Sequence, residues 1–225
     1  MRLLSCAVLS LLLCANFALA QEKAKEAPAA DKWEAAIAKF EARDKEMPPA
    51  KGGIVFIGSS SIVGWDVAKS FPGLPAINRG FGGSQLSDSV KYAARIVVPY
   101  EPRTVVLYAG DNDLNAKKTP EQVAADFDAF VKVIHGKLPK ARIIYIGIKP
   151  SPKRWHLIEQ GRKANQLIRA ACEKNSLLTF ADIEPVMLAA DGQPKPEIFK
   201  ADQLHMNEAG YKLWNALLLP LLKAE

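Results

Sequence analysis

Short apolar runs separated by longer amphipathic stretches make up the pattern of hydrophobic and polar residues along the chain. Apolar runs rich in β-branched and aromatic residues predict strands at 54–57, 76–78, 104–108, 142–148 and 177–181. Apolar residues at helical spacing predict helices at 31–46, 84–96, 120–138, 157–174 and 207–222. Strands that alternate with helices of this length indicate parallel pairing through right-handed crossovers. Because the strands are almost continuously apolar, we predict an α/β fold, a three-layer α/β/α sandwich around a five-stranded parallel sheet.

The first fifty residues differ in character from the rest of the chain. Residues 1–20 begin with a positive charge, continue as an apolar run and end on Ala18-Leu19-Ala20, which is typical of a secretory signal peptide cut after Ala20. A lipoprotein anchor at Cys14 is disfavoured because leucines, not small residues, precede it. Residues 21–50 are interpreted as a polar tether followed by an amphipathic helix. Residues 51–225 form the main domain, and the protein is expected to be secreted or periplasmic.

Composition and charge exclude several classes of function. The chain has 225 residues, 30 Lys and Arg against 24 Asp and Glu, and no basic run long enough for a nucleic-acid site. We therefore expect no nucleic-acid partner and no stable insertion into a membrane. Cys172 is the one cysteine after residue 20, and its apolar neighbours at helical spacing predict a buried, unreactive thiol.

Two polar segments follow the first two predicted strands. Gly58-Ser59-Ser60-Ser61 follows the first strand, where a glycine permits a tight turn and a serine reaches the sheet edge at which ligands bind in open α/β folds. A Ser-rich helix cap is the alternative, and a phosphate-binding loop is disfavoured because no lysine follows. The segment from Asn78 to Ser84 contains three glycines in four positions. The backbone N–H groups of such a turn can bind an anion. The alternative is a turn that is merely flexible.

Two further segments carry an amide and an acid–base pair. Gly110-Asp111-Asn112-Asp113 follows the strongest strand, and its Asn carboxamide is a neutral hydrogen-bond donor that a ligand could use. The alternative is that the segment is only a polar turn. In Asp202-Gln203-Leu204-His205 the spacing of three places a carboxylate beside an imidazole that it can orient. A structural polar loop is the alternative there. All four segments are expected at the same edge of the sheet.

Together, in this order, the four segments resemble the SGNH (GDSL-type) superfamily of serine esterases, and they are similar to its platelet-activating-factor acetylhydrolase-like group. The resemblance extends from Gly53 to Leu222 and implies the flavodoxin-like arrangement of the sheet. It implies Ser60 as nucleophile, His205 as general base and Asp202 as its orienting carboxylate. It implies an oxyanion hole formed by Ser60, Gly83 and Asn112. The superfamily usually has Asp at the position of Ser59, so the sequence leaves open which of Ser59, Ser60 and Ser61 attacks.

The implied function is a secreted carboxylic ester hydrolase that needs neither metal nor organic cofactor. Its substrates are expected to be short acyl esters, acetylated carbohydrates or lysophospholipids, while acyl specificity and oligomeric state stay open. The alternatives are an O-acyltransferase acting on an envelope glycan, a non-catalytic carbohydrate-binding module and a flavodoxin-like cofactor binder. Several loop residues are candidates for the rim of the site, although ordinary solvated loops are the favoured interpretation. These candidates are Trp65, Lys117, Lys118, Lys149, Lys153, Arg154 and Trp155.

Overall fold

The polypeptide alternates between parallel strands and covering helices, as the sequence pattern predicts. The computed structural model describes residues 31–224, so the predicted signal peptide and the predicted tether at residues 21–30 lie outside the described residues. The strands are β1 (Ile54–Gly58), β2 (Ala76–Gly80), β3 (Thr104–Tyr108), β4 (Arg142–Ile146) and β5 (Leu178–Ala181). They form one sheet in the order β2-β1-β3-β4-β5, and every pair is parallel.

Nine α-helices accompany these strands within residues 31–224. The long ones are α1 (Glu34–Glu46), α4 (Leu86–Ile96), α6 (Pro120–His135), α7 (Ile158–Cys172) and α9 (Glu208–Lys223). The short ones are α2 (Ser60–Val63), α3 (Val67–Ser70), α5 (Asp111–Asn115) and α8 (Glu184–Met187). Three 3₁₀ segments lie at Val98–Tyr100, Pro152–Leu157 and Pro196–Ile198. No helix in this part of the chain is both long enough and apolar enough to cross a membrane.

Successive strand residues point to opposite faces and build two separate cores. In β1, Val55 and Ile57 belong to the core that α1, α4, α6 and α7 cover, while Phe56 belongs to the core on the other face. That second core includes Trp214 of α9 and Met187 of α8. Each side chain buried in this way contributes about 1.5–3 kcal/mol. The predicted three-layer α/β/α sandwich is confirmed, and burial on both faces explains why the strands lack polar alternation.

One predicted strand is too long. The sequence predicts a strand through residue 148, but β4 ends at Ile146. The backbone of Ile148 pairs instead with the side chain of Asn165 in α7, which accepts from its N–H at 2.7 Å and donates to its C=O at 3.1 Å. The side-chain amide thus replaces a neighbouring strand, and the chain is free to turn over the carboxyl edge of the sheet.

The strand order fixes where a ligand can bind. The chain moves from β1 outward to β2 and then returns to place β3 on the other side of β1. The crevice between the carboxyl ends of β1 and β3 is therefore the topological switch point, where open α/β sheets bind their ligands. The compact unit that contains this crevice begins at Trp33. Ser60 and Asn112 lie on its two sides, immediately beyond β1 and β3.

Candidate active site

Ser60 is the first residue of α2, directly beyond the carboxyl end of β1. Gly58 makes the turn possible, because its φ is +138° and a Cβ there would lie 1.9 Å from the carbonyl oxygen of Tyr108. The three serines differ in access: Ser59 is 0% exposed, Ser61 is 1% exposed and Ser60 is half-buried at the crevice. Of the three hydroxyls that the sequence leaves open as nucleophiles, Ser60 alone is accessible.

The loop before α9 presents His205 to this serine. His205 Nε2 lies 3.0 Å from Ser60 Oγ, although the two residues are 145 positions apart in the chain. His205 Nδ1 lies 2.6 Å from Asp202 Oδ2 on its other side. Because an ionised carboxylate only accepts hydrogen bonds, Nδ1 carries the proton and Nε2 is left to accept from the serine. This tautomer is the one that general-base chemistry requires.

Local hydrogen bonds give the Asp202–His205 loop its shape. Asp202 Oδ1 accepts from the backbone N–H groups of Leu204 at 3.0 Å and His205 at 2.9 Å. The bond from the His205 side chain, together with these backbone bonds, lowers the pKa of the Asp202 carboxyl well below its usual range. Asn207 then caps α9 by accepting from the N–H of Gly210 at 3.2 Å. The carboxylate is thus ionised and its orientation is fixed before any ligand binds.

Gly83 and Asn112 bring hydrogen-bond donors to the same crevice. Gly83 has a φ of +75° in the turn after β2, and a Cβ on neighbouring Gly82 would lie 3.9 Å from the Cβ of Ser60. Among the turn and loop hydrogen bonds of residues 31–224, no backbone carbonyl accepts from the N–H groups of Ser60 or Gly83. Asn112 lies in the first turn of α5 and donates from Nδ2 to the carbonyl oxygen of Ser84 at 2.9 Å. All five predicted site residues therefore lie around one crevice.

A charged cluster behind Asn112 was not predicted from the sequence. Arg154 Nη2 donates to Asn112 Oδ1 at 2.8 Å, and its Nη1 lies 2.9 Å from Asp111 Oδ2. Lys149 Nζ donates to Asp111 Oδ2 and to the hydroxyl of Tyr108, both at 3.1 Å. Burial alone raises the pKa of the Asp111 carboxyl, but Lys149 and Arg154 outweigh it and lower that pKa. The available signal in the sequence was the three basic residues of the segment 149–154, namely Lys149, Lys153 and Arg154.

Two candidates for the rim of the site are wrong, because the structure buries both. Trp65 is 2% exposed and packs edge-to-face on Phe56 with ring centroids 5.2 Å apart, so it belongs to the core. Lys149 is 5% exposed and belongs to the charged cluster described above. Cys172 is 6% exposed, as predicted, and burial raises the pKa of its thiol to about 11. A thiol with that pKa carries very little of the nucleophilic thiolate at neutral pH.

No group of three or more His, Cys, Asp or Glu side chains in residues 31–224 is arranged to bind a metal ion. The crevice itself brings together a hydroxyl in contact with an imidazole, a carboxylate that orients the imidazole, and backbone and side-chain N–H groups that can bind a negative oxygen. That the protein needs no cofactor stays a prediction.

Comparison with known proteins decides the family. The family model of the GDSL-like lipase/acylhydrolase family matches residues 57–213. The chain belongs to this family. The bovine platelet-activating factor acetylhydrolase IB subunit alpha1 is 29% identical over 205 residues, covering 85% of this chain and 84% of the relative. The human alpha1 subunit is 28% identical over 201 residues, with the same coverage.

Solved structures agree on the fold. A GDSL-like lipase from Bacteroides thetaiotaomicron superposes with a TM-score of 0.71 at 18% identity, covering 84% of this chain and 98% of that one. A catalytic mutant of an acetylxylan esterase from Geobacillus stearothermophilus superposes with a TM-score of 0.61 at 15% identity, covering 78% and 96%. The predicted family resemblance is confirmed. Membership of this family supports ester hydrolysis as the general activity, without specifying the class of ester.

Proposed function

We propose that this GDSL-like acylhydrolase cleaves carboxylic esters through a covalent acyl-serine, with Ser60 as nucleophile, His205 as general base and Asp202 as the residue that orients it. The contact between Ser60 Oγ and His205 Nε2 at 3.0 Å carries the proposal. This contact brings a hydroxyl and a base that are far apart in the sequence to hydrogen-bonding distance, with the imidazole in the tautomer that accepts a proton.

The proposed reaction has two halves. His205 Nε2 takes the proton of Ser60 as Oγ attacks the ester carbonyl carbon, and the carbonyl oxygen becomes negative. The N–H groups of Ser60 and Gly83 and one N–H of the Asn112 amide bind that oxygen. His205 then gives the proton to the leaving alcohol as the ester C–O bond breaks. A water molecule attacks the acyl-serine with His205 again as base, which releases the acid and restores the Ser60 hydroxyl.

Labelling with a fluorophosphonate and mapping the modified peptide tests this assignment. We expect the label on Ser60, and we expect Ser60→Ala to abolish labelling and lower kcat by about 10⁴–10⁶. Ser59→Ala and Ser61→Ala are matched controls, because they remove neighbouring hydroxyls that are buried. Both controls should keep the label and most of the activity. A folded Ser60→Ala variant with substantial esterase activity contradicts the proposal.

We further propose short acyl esters as substrates. The support comes from relatives, since two of those described above are named for acetyl groups, as an acetylhydrolase subunit and an acetylxylan esterase. Turnover of matched p-nitrophenyl esters with two, four and eight acyl carbons measures the preference. We expect kcat/KM to fall as the chain lengthens, and a rise with chain length contradicts the proposal. Adding a glycan acceptor and analysing the products distinguishes hydrolysis from acyl transfer.

Export remains part of the proposed function. It is supported by the apolar run and the Ala18-Leu19-Ala20 site at the start of the sequence. Mass spectrometry of the protein isolated from its native cells tests it directly. We expect a mature chain that begins at Gln21, and a protein that retains residues 1–20 in the cytoplasm contradicts export.

A further inference from the structure

Arg154 connects the loop after β4 to the amide of Asn112. It lies in the 3₁₀ segment Pro152–Leu157, and its guanidinium reaches Asn112 Oδ1 at 2.8 Å with Nη2 while Nη1 lies 2.9 Å from Asp111 Oδ2. The planar guanidinium presents its N–H donors in a fixed fork, so a contact with two neighbouring groups on α5 defines their relative orientation. Arg154 therefore contacts the proposed oxyanion donor from behind.

The bonds of Asn112 leave one donor for a ligand. Its carboxamide has two N–H donors and one oxygen acceptor. Nδ2 donates once to the carbonyl oxygen of Ser84 at 2.9 Å, and Oδ1 accepts from Arg154. A flipped amide would place Nδ2 against the guanidinium and Oδ1 against the Ser84 carbonyl, losing both bonds. Arg154 and Ser84 together thus hold the amide in the orientation that keeps its second N–H available.

The three charged side chains behind Asn112 carry a net positive charge. Lys149 and Arg154 share the carboxylate of Asp111, and the three side chains are 1%, 14% and 8% exposed. Two cations against one anion leave a net charge of +1 beside the amide. Burying an unbalanced charge is costly, and one carboxylate with one cation would be enough for an ion pair. A positive charge in a site of low dielectric stabilises negative charge that develops nearby.

We infer that Arg154 is a positioning residue for the oxyanion hole, which orients and polarises the Asn112 amide so that its remaining N–H binds the negative oxygen more strongly. The inference rests on the proposed function. Arg154 touches neither the nucleophile nor the reacting carbonyl in this scheme, and acts through Asn112. The Asp111–Lys149 pair holds Arg154 in place from the opposite side.

A purely structural role is the competing explanation. The same segment contacts the other half of the site, because the N–H of Lys153 donates to the carbonyl oxygen of Gln203 at 3.0 Å. On that explanation, loss of Arg154 shifts the Asp202–His205 loop and lowers activity without any part for Asn112. A double-mutant cycle between positions 154 and 112 separates the two explanations.

The experiment measures kcat and KM for Arg154→Met, Asn112→Ala and the double variant with a soluble acetyl ester. Methionine keeps most of the apolar stem and removes every donor. We expect Arg154→Met to lower kcat by about 10- to 100-fold with little change in KM, since a charge-assisted hydrogen bond is lost. In the Asn112→Ala background the same change should have almost no further effect. Equal fold-losses in both backgrounds overturn the inference.

Two more variants keep the result interpretable. Arg169→Met is the matched control, because the Arg169 guanidinium pairs with Asp182 and lies over the Phe180 ring. Its kcat should stay within about twofold of wild type. If Arg154→Met does not fold, Arg154→Lys replaces it in the cycle, since an ammonium keeps the ion pair with Asp111 but lacks the fork. We then expect a smaller loss of kcat that again disappears in the Asn112→Ala background, and a loss that persists overturns the inference.

The single variant Asn112→Ala also tests the proposed function. If it is fully active, both the inference and the proposed oxyanion hole are wrong, whereas labelling of Ser60 tests the proposed nucleophile independently.

Discussion

The two halves of the crevice are built in opposite ways. On the proton-transfer side, His205 and Asp202 are exposed, with 36% and 49% of their side-chain surface accessible. On the oxyanion side, Lys149 and Asp111 behind Asn112 are almost fully buried, at 1% and 8%. The exposed half depends on hydrogen bonds within one short loop, whereas the buried half depends on charges from separate elements. Loss of a carboxylate should therefore have different consequences on the two sides.

Isosteric replacement of each carboxylate makes this contrast measurable. Asp202→Asn is expected to lower kcat by up to about 10⁴, because the amide no longer holds the imidazole in the required tautomer. The free energy of unfolding should change by less than about 1 kcal/mol, since the pair is exposed and screened by solvent. Asp111→Asn should instead lower the free energy of unfolding by about 3–5 kcal/mol, because it leaves Lys149 and Arg154 buried without their counter-charge.

Urea denaturation and initial rates on the same two variants provide the check. A destabilised Asp202→Asn, or an Asp111→Asn as stable as wild type, contradicts the contrast.

The pH dependence of stability gives a second test of the contrast between the two carboxylates. Because the folded-state pKa of Asp111 is lowered, its stabilisation is complete above the pKa of an unfolded aspartate and is lost as the pH falls through the folded-state pKa. The difference in stability between wild type and Asp111→Asn should therefore shrink in acid.

The same difference between the two halves explains what the sequence could reveal about the site. Asp202 and His205 are three residues apart, so their pairing can be inferred from local spacing. Arg154 and Asn112 are 42 residues apart, and neither forms a recognisable motif with the other. Their contact depends on the direction in which the loop after β4 turns, beyond the point where the Asn165 side chain pairs with the backbone of Ile148. Only the fold determines that direction, so the sequence gives Lys149 and Arg154 as candidates for the rim of the site, with ordinary solvated loops favoured, and does not reveal their contacts.

Length decides which elements of the fold were predictable. The five long helices contain enough apolar residues for their helical period to be recognised, and the five strands are recognised as short apolar runs between them. The helices α2 and α5 contain four and five residues, too few to display a helical period. Both begin at the end of a strand and position Ser60 and Asn112. The sequence therefore predicts which residues belong to the site more readily than it predicts the short helices that orient them.

Removal of the Asn112 amide tests the buried half directly. Asn112→Ala should lower kcat by about 10²–10³ with little change in KM, because the donor acts mainly on the charge that develops in the transition state. Asn115→Ala is the matched control, since Asn115 lies at the exposed end of the same short helix. Its kcat should stay within about twofold of wild type. A large rise in KM at unchanged kcat in Asn112→Ala would assign the amide to ground-state binding instead.

The smallest expected effect concerns the backbone donor at Gly83. Gly83 and Gly73 have nearly the same left-handed conformation, with φ of +75° and +80°. Alanine should cost each about 1–2 kcal/mol of stability, because a Cβ is unfavourable there. A Cβ at Gly83 would also lie 3.4 Å from the Trp33 ring, whereas nothing lies within 4 Å at Gly73, which precedes β2 at the opposite edge of the sheet. We expect kcat to fall up to about tenfold in Gly83→Ala alone, since a shift of the turn displaces its N–H. If Gly83→Ala and Gly73→Ala are equally destabilised and equally active, Gly83 does not belong to the proposed oxyanion hole.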